Sequence, residues 1–253
     1  MIRVLGHQLA VEQKVFWRNR ESAVFIFIFP IMLFVLLASV YGGTTTIDGI
    51  TRPTKYALLA GLLSYGAANT AFAGLAITLV IRRESGLLKR LRSTPLPAPA
   101  YLAAVVASLL VVFVLQTVSL FVIGRVAFGT RLPHNVASLV LLVLIGVAGF
   151  GGLGFGVTSL IRSAEGSSAV VNVILLPMAF LSGSFGPARH LPKVLGWIAD
   201  VLPLRYFVQL ANAVYLNGQH VWSKPGAIAV VLGWGAGGLA VAARRFRWEP
   251  RDR

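Results

Sequence analysis

Long apolar runs separated by short charged connections make up most of this chain. Six runs reach or approach the roughly 20 residues that an α-helix needs to cross a hydrocarbon core of about 30 Å. They occupy residues 22–41, 56–81, 101–128, 136–161, 168–185 and 225–243. The first 21 residues are more polar but keep a helical rhythm. Leu5, Leu9, Val15 and Phe16 share a face, and Trp17, Arg18 and Arg20 adjoin the first run. This pattern predicts an amphipathic helix lying along the membrane before the chain enters it. A cleaved signal peptide fits poorly, because the basic region is long and no A-x-A site follows. The connection 186–224 is long yet not polar. Leu191, Val194, Leu195, Ile198, Val201 and Leu202 recur at three- and four-residue spacing, the mark of an amphipathic helix. Pro203 should end that helix, and 206–215 reads as a second short one. The pair is too broken for a clean span and is expected to form a re-entrant hairpin. The predicted fold is therefore an all-α integral membrane protein of six transmembrane helices in a single domain over 1–253.

Composition agrees with this pattern. The chain is 57% hydrophobic and only 12% charged, against about 25% charged in soluble domains. It carries 23 Lys+Arg against 8 Asp+Glu, a net charge of +15. Nucleic-acid binders spread such charge over a solvated surface; here it punctuates apolar runs, so no nucleic-acid partner is expected and membrane lipids are. With the N-terminus inside, 15 cations fall in inner segments and 8 in outer ones (Arg52, Lys55, Arg125, Arg131, Arg189, Lys193, Arg205 and Lys224). The positive-inside rule then puts both termini in the cytoplasm, with 244–253 as a basic tail, and the Ala-, Arg- and Gly-rich composition suits the plasma membrane of a high-GC bacterium. There is no cysteine, which excludes disulfides, thiolate metal sites and thiol catalysis.

Several motifs match a chemistry but not its context. Gly149-Phe150-Gly151-Gly152-Leu153-Gly154 fits the dinucleotide fingerprint, and Gly235-Ala236-Gly237-Gly238-Leu239-Ala240 fits its looser form. Both lie inside spans, without the acid that should follow about 20 residues later. Small-residue helix packing is the better reading, with Ala148, Gly152 and Gly156 four apart, as are Ala229, Gly233 and Gly237. Leu181-Ser182-Gly183-Ser184 is similar to the signature of ABC ATPases but sits at the outer end of the fifth span. The dipeptide Gly-Lys is absent, so the chain has no Walker A phosphate loop. His7, His134, His190 and His220 are scattered and form no metal-binding motif. The span centres hold essentially no ionisable residue, which argues against proton-coupled transport and intramembrane hydrolysis. No catalytic residue is expected. The polar residues at depth are uncharged: Ser64, Asn69, Thr70, Gln116, Thr117 and Asn172. They could line a substrate path or bond helices together.

The second and fifth connections carry a resemblance. The inner loop reads Arg83-Glu84-Ser85-Gly86-Leu87-Leu88-Lys89-Arg90-Leu91-Arg92-Ser93-Thr94-Pro95-Leu96, closing with Tyr101-Leu102. Further on come Phe180-Leu181-Ser182-Gly183, Phe185, Pro187, Leu191-Pro192, Pro203-Leu204 and Tyr206. Both stretches, with six spans and an N-terminal interfacial helix, resemble ABC-2 type transporter permeases over essentially the whole chain. One departure is Asn212, where such permeases often carry Arg.

The resemblance implies a half-transporter without ATPase activity of its own. It would pair with a second copy or a paralogue and with two ATP-binding subunits, which alone bind ATP and Mg. Its coupling helix would fall on Arg83–Arg92, with Glu84 near the helix start and Lys89, Arg90 and Arg92 near its end, as the helix dipole favours. Phe185, Pro187, Leu191, Pro192, Pro203 and Tyr206 would belong to an outer gate hairpin. Small permeases of this kind are similar to drug and antibiotic exporters such as the daunorubicin-resistance group. Polysaccharide, lipid-linked glycan and lipid exporters share the architecture. A stand-alone channel or lipid-handling enzyme is the reading from another class, and independence of ATP would distinguish it.

Overall fold

The computed structural model describes residues 2–47, 49–186 and 192–250. Among them, six helical spans are long and apolar enough to cross a membrane. The chain starts with α1 (Ile2–Arg18), breaks at Asn19 and continues as α2 (Arg20–Val40). Asn19 makes the break by capping: its side-chain oxygen accepts the Ser22 amide at 3.3 Å. The helix expected at the N-terminus is thus a separate element, packed against the first and third spans.

A β-hairpin follows, which the apolar pattern had not suggested. Strands β1 (Thr44–Ile47) and β2 (Ile50–Pro53) pair antiparallel, Thr45 opposite Arg52 and Ile47 opposite Ile50. The signal was present in β-branched residues flanking Asp48-Gly49, a dipeptide favoured in two-residue hairpins. This hairpin marks one end of the bundle; the opposite end, carrying Arg82–Arg92 and Arg244, is called the basic end below.

The second span is the centre of the molecule and its most buried span. It consists of α3 (Thr54–Ala67), a π-helical segment (Ala68–Gly74) and α4 (Leu75–Glu84). It packs against α2 and against the helices α6 (Ala98–Phe128), α7 (Val136–Thr158), α8 (Ala164–Leu181) and α10 (Pro203–Tyr215). Between α4 and α6 lies the short α5 (Leu87–Arg92). At 31 residues, α6 is about 46 Å long and must tilt or project beyond the hydrocarbon.

The two short helices expected here are present as α9 (Lys193–Val201) and α10, bent by 79° at Leu202. Pro203 does more than end the first helix: it opens the second, where its missing N–H costs nothing. A 3₁₀ turn (Val221–Ser223) then leads to α11 (Pro225–Arg245).

Helices α7 and α11 make the closest contact, through glycine. A Cβ on Gly152 would collide with the Gly235 carbonyl oxygen, and one on Gly156 would lie 2.7 Å from Gly238 Cα. Gly149 faces Val231, so the partners rise together along both helices and the two run parallel. The expected α7 row holds at Gly152 and Gly156. The α11 row of Ala229, Gly233 and Gly237 does not: Gly233 and Gly237 meet nothing within 4 Å, and Val231, Gly235 and Gly238 form the contact. Two rows of small residues wind around α11, and spacing alone could not choose between them. Filling the contact row should cost about 1–3 kcal/mol or more through overpacking. Gly152→Leu is expected to lower the detergent melting temperature by several degrees, whereas Gly233→Leu leaves it nearly unchanged. Equal melting of the two variants would contradict this packing.

Candidate functional site

At the basic end, the chain leaves α4 through a tight turn and forms α5. Gly86 takes a left-handed conformation (φ 72°) and begins the helix, its carbonyl accepting the Arg90 amide at 3.1 Å. That backbone state favours glycine because a Cβ would be strained. Leu88 is completely buried among Leu75, Leu79, Tyr101, Val105, Phe155 and Ala242, with Leu91 alongside. Phe246 and Trp248, beyond the end of α11, pack on the same cluster and meet edge to face at 5.4 Å. One face of α5 is thereby fixed, while Leu87, Lys89, Arg90 and Arg92 are exposed.

The helix is shorter than the expected Arg83–Arg92. Arg83 and Glu84 end α4, and Ser85 and Gly86 form the turn. Glu84 therefore does not stand at the start of α5, and its carboxylate instead accepts the Arg83 Nε at 2.7 Å. Arg83 is fully buried and turned into the bundle. Its guanidinium donates to the Thr158 carbonyl at 3.0 Å and to the Ile161 carbonyl at 2.7 Å. Thr158 closes α7, where carbonyls lack intrahelical partners, and Ile161 lies three residues beyond it. A fork of donors on one cation suits two such acceptors.

Its neighbour Arg82 serves the other side. It forms a bidentate pair with Glu12 of α1 (3.0 and 2.7 Å) and donates to the Tyr101 hydroxyl at 2.7 Å. Gln13 adds bonds to the Ser108 carbonyl and hydroxyl. Together these contacts join α1, α4, α6 and α7 around the base of α5.

The uncharged polar residues at depth divide into two groups. Thr70 donates to Gln116 Oε1 at 3.1 Å, and Gln116 Nε2 donates to the Ile26 carbonyl at 2.8 Å. Ile26 lies four residues before Pro30 of α2, so proline has removed the amide that its carbonyl would otherwise accept. Gly66 leaves room for this amide: a Cβ there would lie 2.9 Å from Gln116 Oε1. Ser64 is buried and bonds the Ala60 carbonyl of its own helix, and Thr117 is buried beside a cavity of about 10 Å³. These four bond or pack helices together. Asn69, in the π-helical segment, is partly exposed, and Asn172 is exposed on α8 and bonded to Ser168 of its own helix.

In the hairpin, Phe185 packs on Tyr65 and Phe180 (5.1 and 4.9 Å between centroids). Pro192 precedes α9, and Pro187 and Leu191 lie outside the described residues. The elbow is latched: the Tyr206 hydroxyl donates to the Asp200 carbonyl at 2.7 Å, and Arg205 pairs with the Asp200 carboxylate at 3.1 Å. The Leu181-Ser182-Gly183-Ser184 stretch is a helix stop. Gly183 has φ 79°, and the Ser184 amide returns to the Ala179 carbonyl at 3.2 Å, the bond of a Schellman cap. Asn212 of α10 is buried, with its side-chain oxygen unpaired among the described residues.

The sequence model of the ABC-2 type transporter family matches residues 8–216, from α1 through the hairpin. The chain belongs to the ABC-2 type transporter family. It is 26% identical to the transport permease YvfS of Bacillus subtilis (strain 168), covering 88% of this chain and 90% of that one. It is 25% identical to the inner membrane transport permease YhhJ of Escherichia coli (strain K12), covering 67% of this chain and 46% of that one. It is 24% identical to the linearmycin resistance permease protein LnrN of Bacillus subtilis (strain 168), covering 94% of this chain and 58% of that one. The chain thus spans nearly all of the first relative and about half of the other two. The membership and the six apolar helices make it a multi-pass membrane permease.

Two contacts of this site were not foreseen. The partnership of Arg82 with Glu12 joins residues 70 positions apart, which sequence spacing cannot reveal. The Gln116 contact had a readable half-signal, since a proline inside an apolar run frees a carbonyl that some donor must meet. The expected test is a double-mutant cycle. Gln116→Leu should cost about 1–2 kcal/mol by unpairing the Ile26 carbonyl, and should cost clearly less in a Pro30→Ala background, where residue 30 regains its amide. Additive losses in the unfolding curves would rule out this contact.

Proposed function

We propose that this permease is the membrane half of an ATP-driven exporter, acting with a second membrane subunit and two separate ATP-binding subunits. The observation that carries the reading is α5: a short helix buried through Leu88 and Leu91, showing a cationic surface of Lys89, Arg90 and Arg92. A helix held this way moves as a unit with α4 and α6, so a displacement by an ATPase reaches two spans at once. Arg83 and Glu84 support it from within; the docking surface is Leu87–Arg92.

The basic end faces the cytoplasm in this reading, and both termini lie there. The excess of cations at that end supports the orientation. ATP and Mg belong to the partner, since the chain has no phosphate loop. The substrate is a lipophilic, drug-like or antibiotic compound, moved by alternating access. The uncharged span interiors favour it, as does the similarity to a permease named for linearmycin resistance. Of the polar residues at depth, Asn69 and Asn172 are the two that a substrate could touch in this conformation. The α9–α10 hairpin, with Phe185 at its start, would close the path on the outer side.

The test is purification in mild detergent from the native host. An ATP-binding subunit should co-purify in stoichiometric amount and be lost from Lys89→Glu/Arg90→Glu/Arg92→Glu, whose melting temperature stays within a degree or two of the parent. A protein that comes down alone, yet moves substrate in vesicles without ATP, would replace this reading with a stand-alone channel.

A further inference from the structure

On the face of α11 that turns away from the apolar cluster around Leu88, an open groove of about 670 Å³ runs between α7 and α11. It exists because of the two glycine rows. Gly235 and Gly238 press α11 against α7, while Gly233 and Gly237, with nothing within 4 Å of a would-be Cβ, leave a trough beside the contact. Leu153, Val157 and Leu160 form one wall, and Trp234 and Val241 stand on the other. Among the described residues, no charged side chain lines it. The Trp234 indole N–H is already committed to the Val201 carbonyl at 2.9 Å.

The dimensions and the charge at one end define what fits. From Val230 to Val241, twelve residues of α11 cover about 16 Å, close to one leaflet's share of a hydrocarbon core of about 30 Å. The groove-facing positions of α11 are Val230, Gly233, Trp234, Gly237, Gly238 and Val241. The same three- and four-residue spacing continues directly onto Arg244 and Arg245. Both are exposed, and neither forms an ion pair among the described residues. An apolar trough one leaflet deep, ending in two cations on the same helix face, complements a single amphiphile. Its tail must be hydrocarbon and its headgroup negative.

We propose that this groove holds an acyl chain of an anionic phospholipid from the leaflet at the basic end, with the phosphate against Arg244 and Arg245. The site is separate from the α5 surface and does not depend on the transport reading. A lipid seated here would fill the lateral opening between two spans and hold the basic end of α11, from which Phe246 and Trp248 reach the apolar cluster around Leu88.

The experiment is quenching of Trp234 fluorescence in phosphatidylcholine bilayers. A small fraction of dibrominated phosphatidylglycerol is compared with the same fraction of dibrominated phosphatidylcholine, and Trp234→Phe isolates the signal from the other tryptophans. Since one cation near an anionic surface favours binding about fivefold, the phosphatidylglycerol probe should quench Trp234 at least about fivefold more effectively. Arg244→Gln/Arg245→Gln should abolish the preference while leaving some quenching by either probe. Gly233→Leu/Gly237→Leu, which fills the trough without a clash, should protect Trp234 from both; Gly237→Val serves if the double variant does not fold. Equal quenching by the two lipids, or a preference that survives the filled groove, overturns the proposal. So does a groove-filled variant that changes the protein's oligomeric mass, which would make this face an interface between copies of the chain.

Discussion

No backbone carbonyl can be left without a donor where water does not reach, because each costs several kcal/mol in hydrocarbon. This constraint accounts for most of the polar contacts that span the bundle. Where Pro30 removes an amide from α2, Gln116 of α6 supplies one to Ile26. Where α7 ends, Arg83 of α4 meets the carbonyls of Thr158 and Ile161. Where α6 ends at the other face, Lys55 donates to the Phe128 carbonyl at 2.6 Å. Each donor comes from a different span than its acceptor, so satisfying the backbone also fixes which helices are neighbours. The second span supplies two of these donors and, through Thr70, orients the third.

Close approach depends on the complementary feature, the absence of side chains. Gly152 and Gly156 meet Gly235 and Gly238 backbone to backbone, where dispersion and packing replace the hydrophobic drive that lipid cannot provide between helices. On the opposite side of α7, Gly154 sits against the π-helical segment, its would-be Cβ 3.0 Å from the Phe72 carbonyl oxygen. One run of glycines in α7 therefore serves two neighbours. A dinucleotide fingerprint arises there by coincidence, because the same residue density that admits a pyrophosphate also admits two helices.

Much of this arrangement was legible in the sequence. The six spans, the separate N-terminal helix and the bent helix pair each follow from apolar length and spacing, which the membrane constrains strongly. The inner loop was legible as a motif but not as geometry. Charge along 83–92 suggested one cationic helix, yet Gly86 divides it, and burial depends on neighbours that no local pattern contains. Arg82 and Arg83 are adjacent in sequence and point to opposite partners, Glu12 of α1 and the end of α7. The same limit applies to α11: two glycine rows are equally readable, and only the position of α7 decides which one packs. The β-hairpin was missed for another reason, since attention to apolar runs passes over a short strand pair held by Thr44–Ile47 and Ile50–Pro53.

The division of cations at the basic end follows from their distance to carbonyls rather than from their number. Arg83 has no solvent to lose contact with and three acceptors around it, so it is part of the scaffold. Replacing it with a neutral residue would leave Glu84 unpaired and the end of α7 bare, losses that come from unpaired partners rather than from a missing surface charge. Lys89, Arg90 and Arg92 have solvent and no ion pair among the described residues. Exposed charges add little to stability, so their variants leave the fold intact and report on whatever they touch. A basic loop read as a single feature is two: an inward cation that holds the spans together, and an outward set that is free to meet a partner. Because Leu88 is buried with Leu75 and Leu79 of α4 and with Tyr101 and Val105 of α6, α5 is anchored to both helices rather than hanging free in the loop.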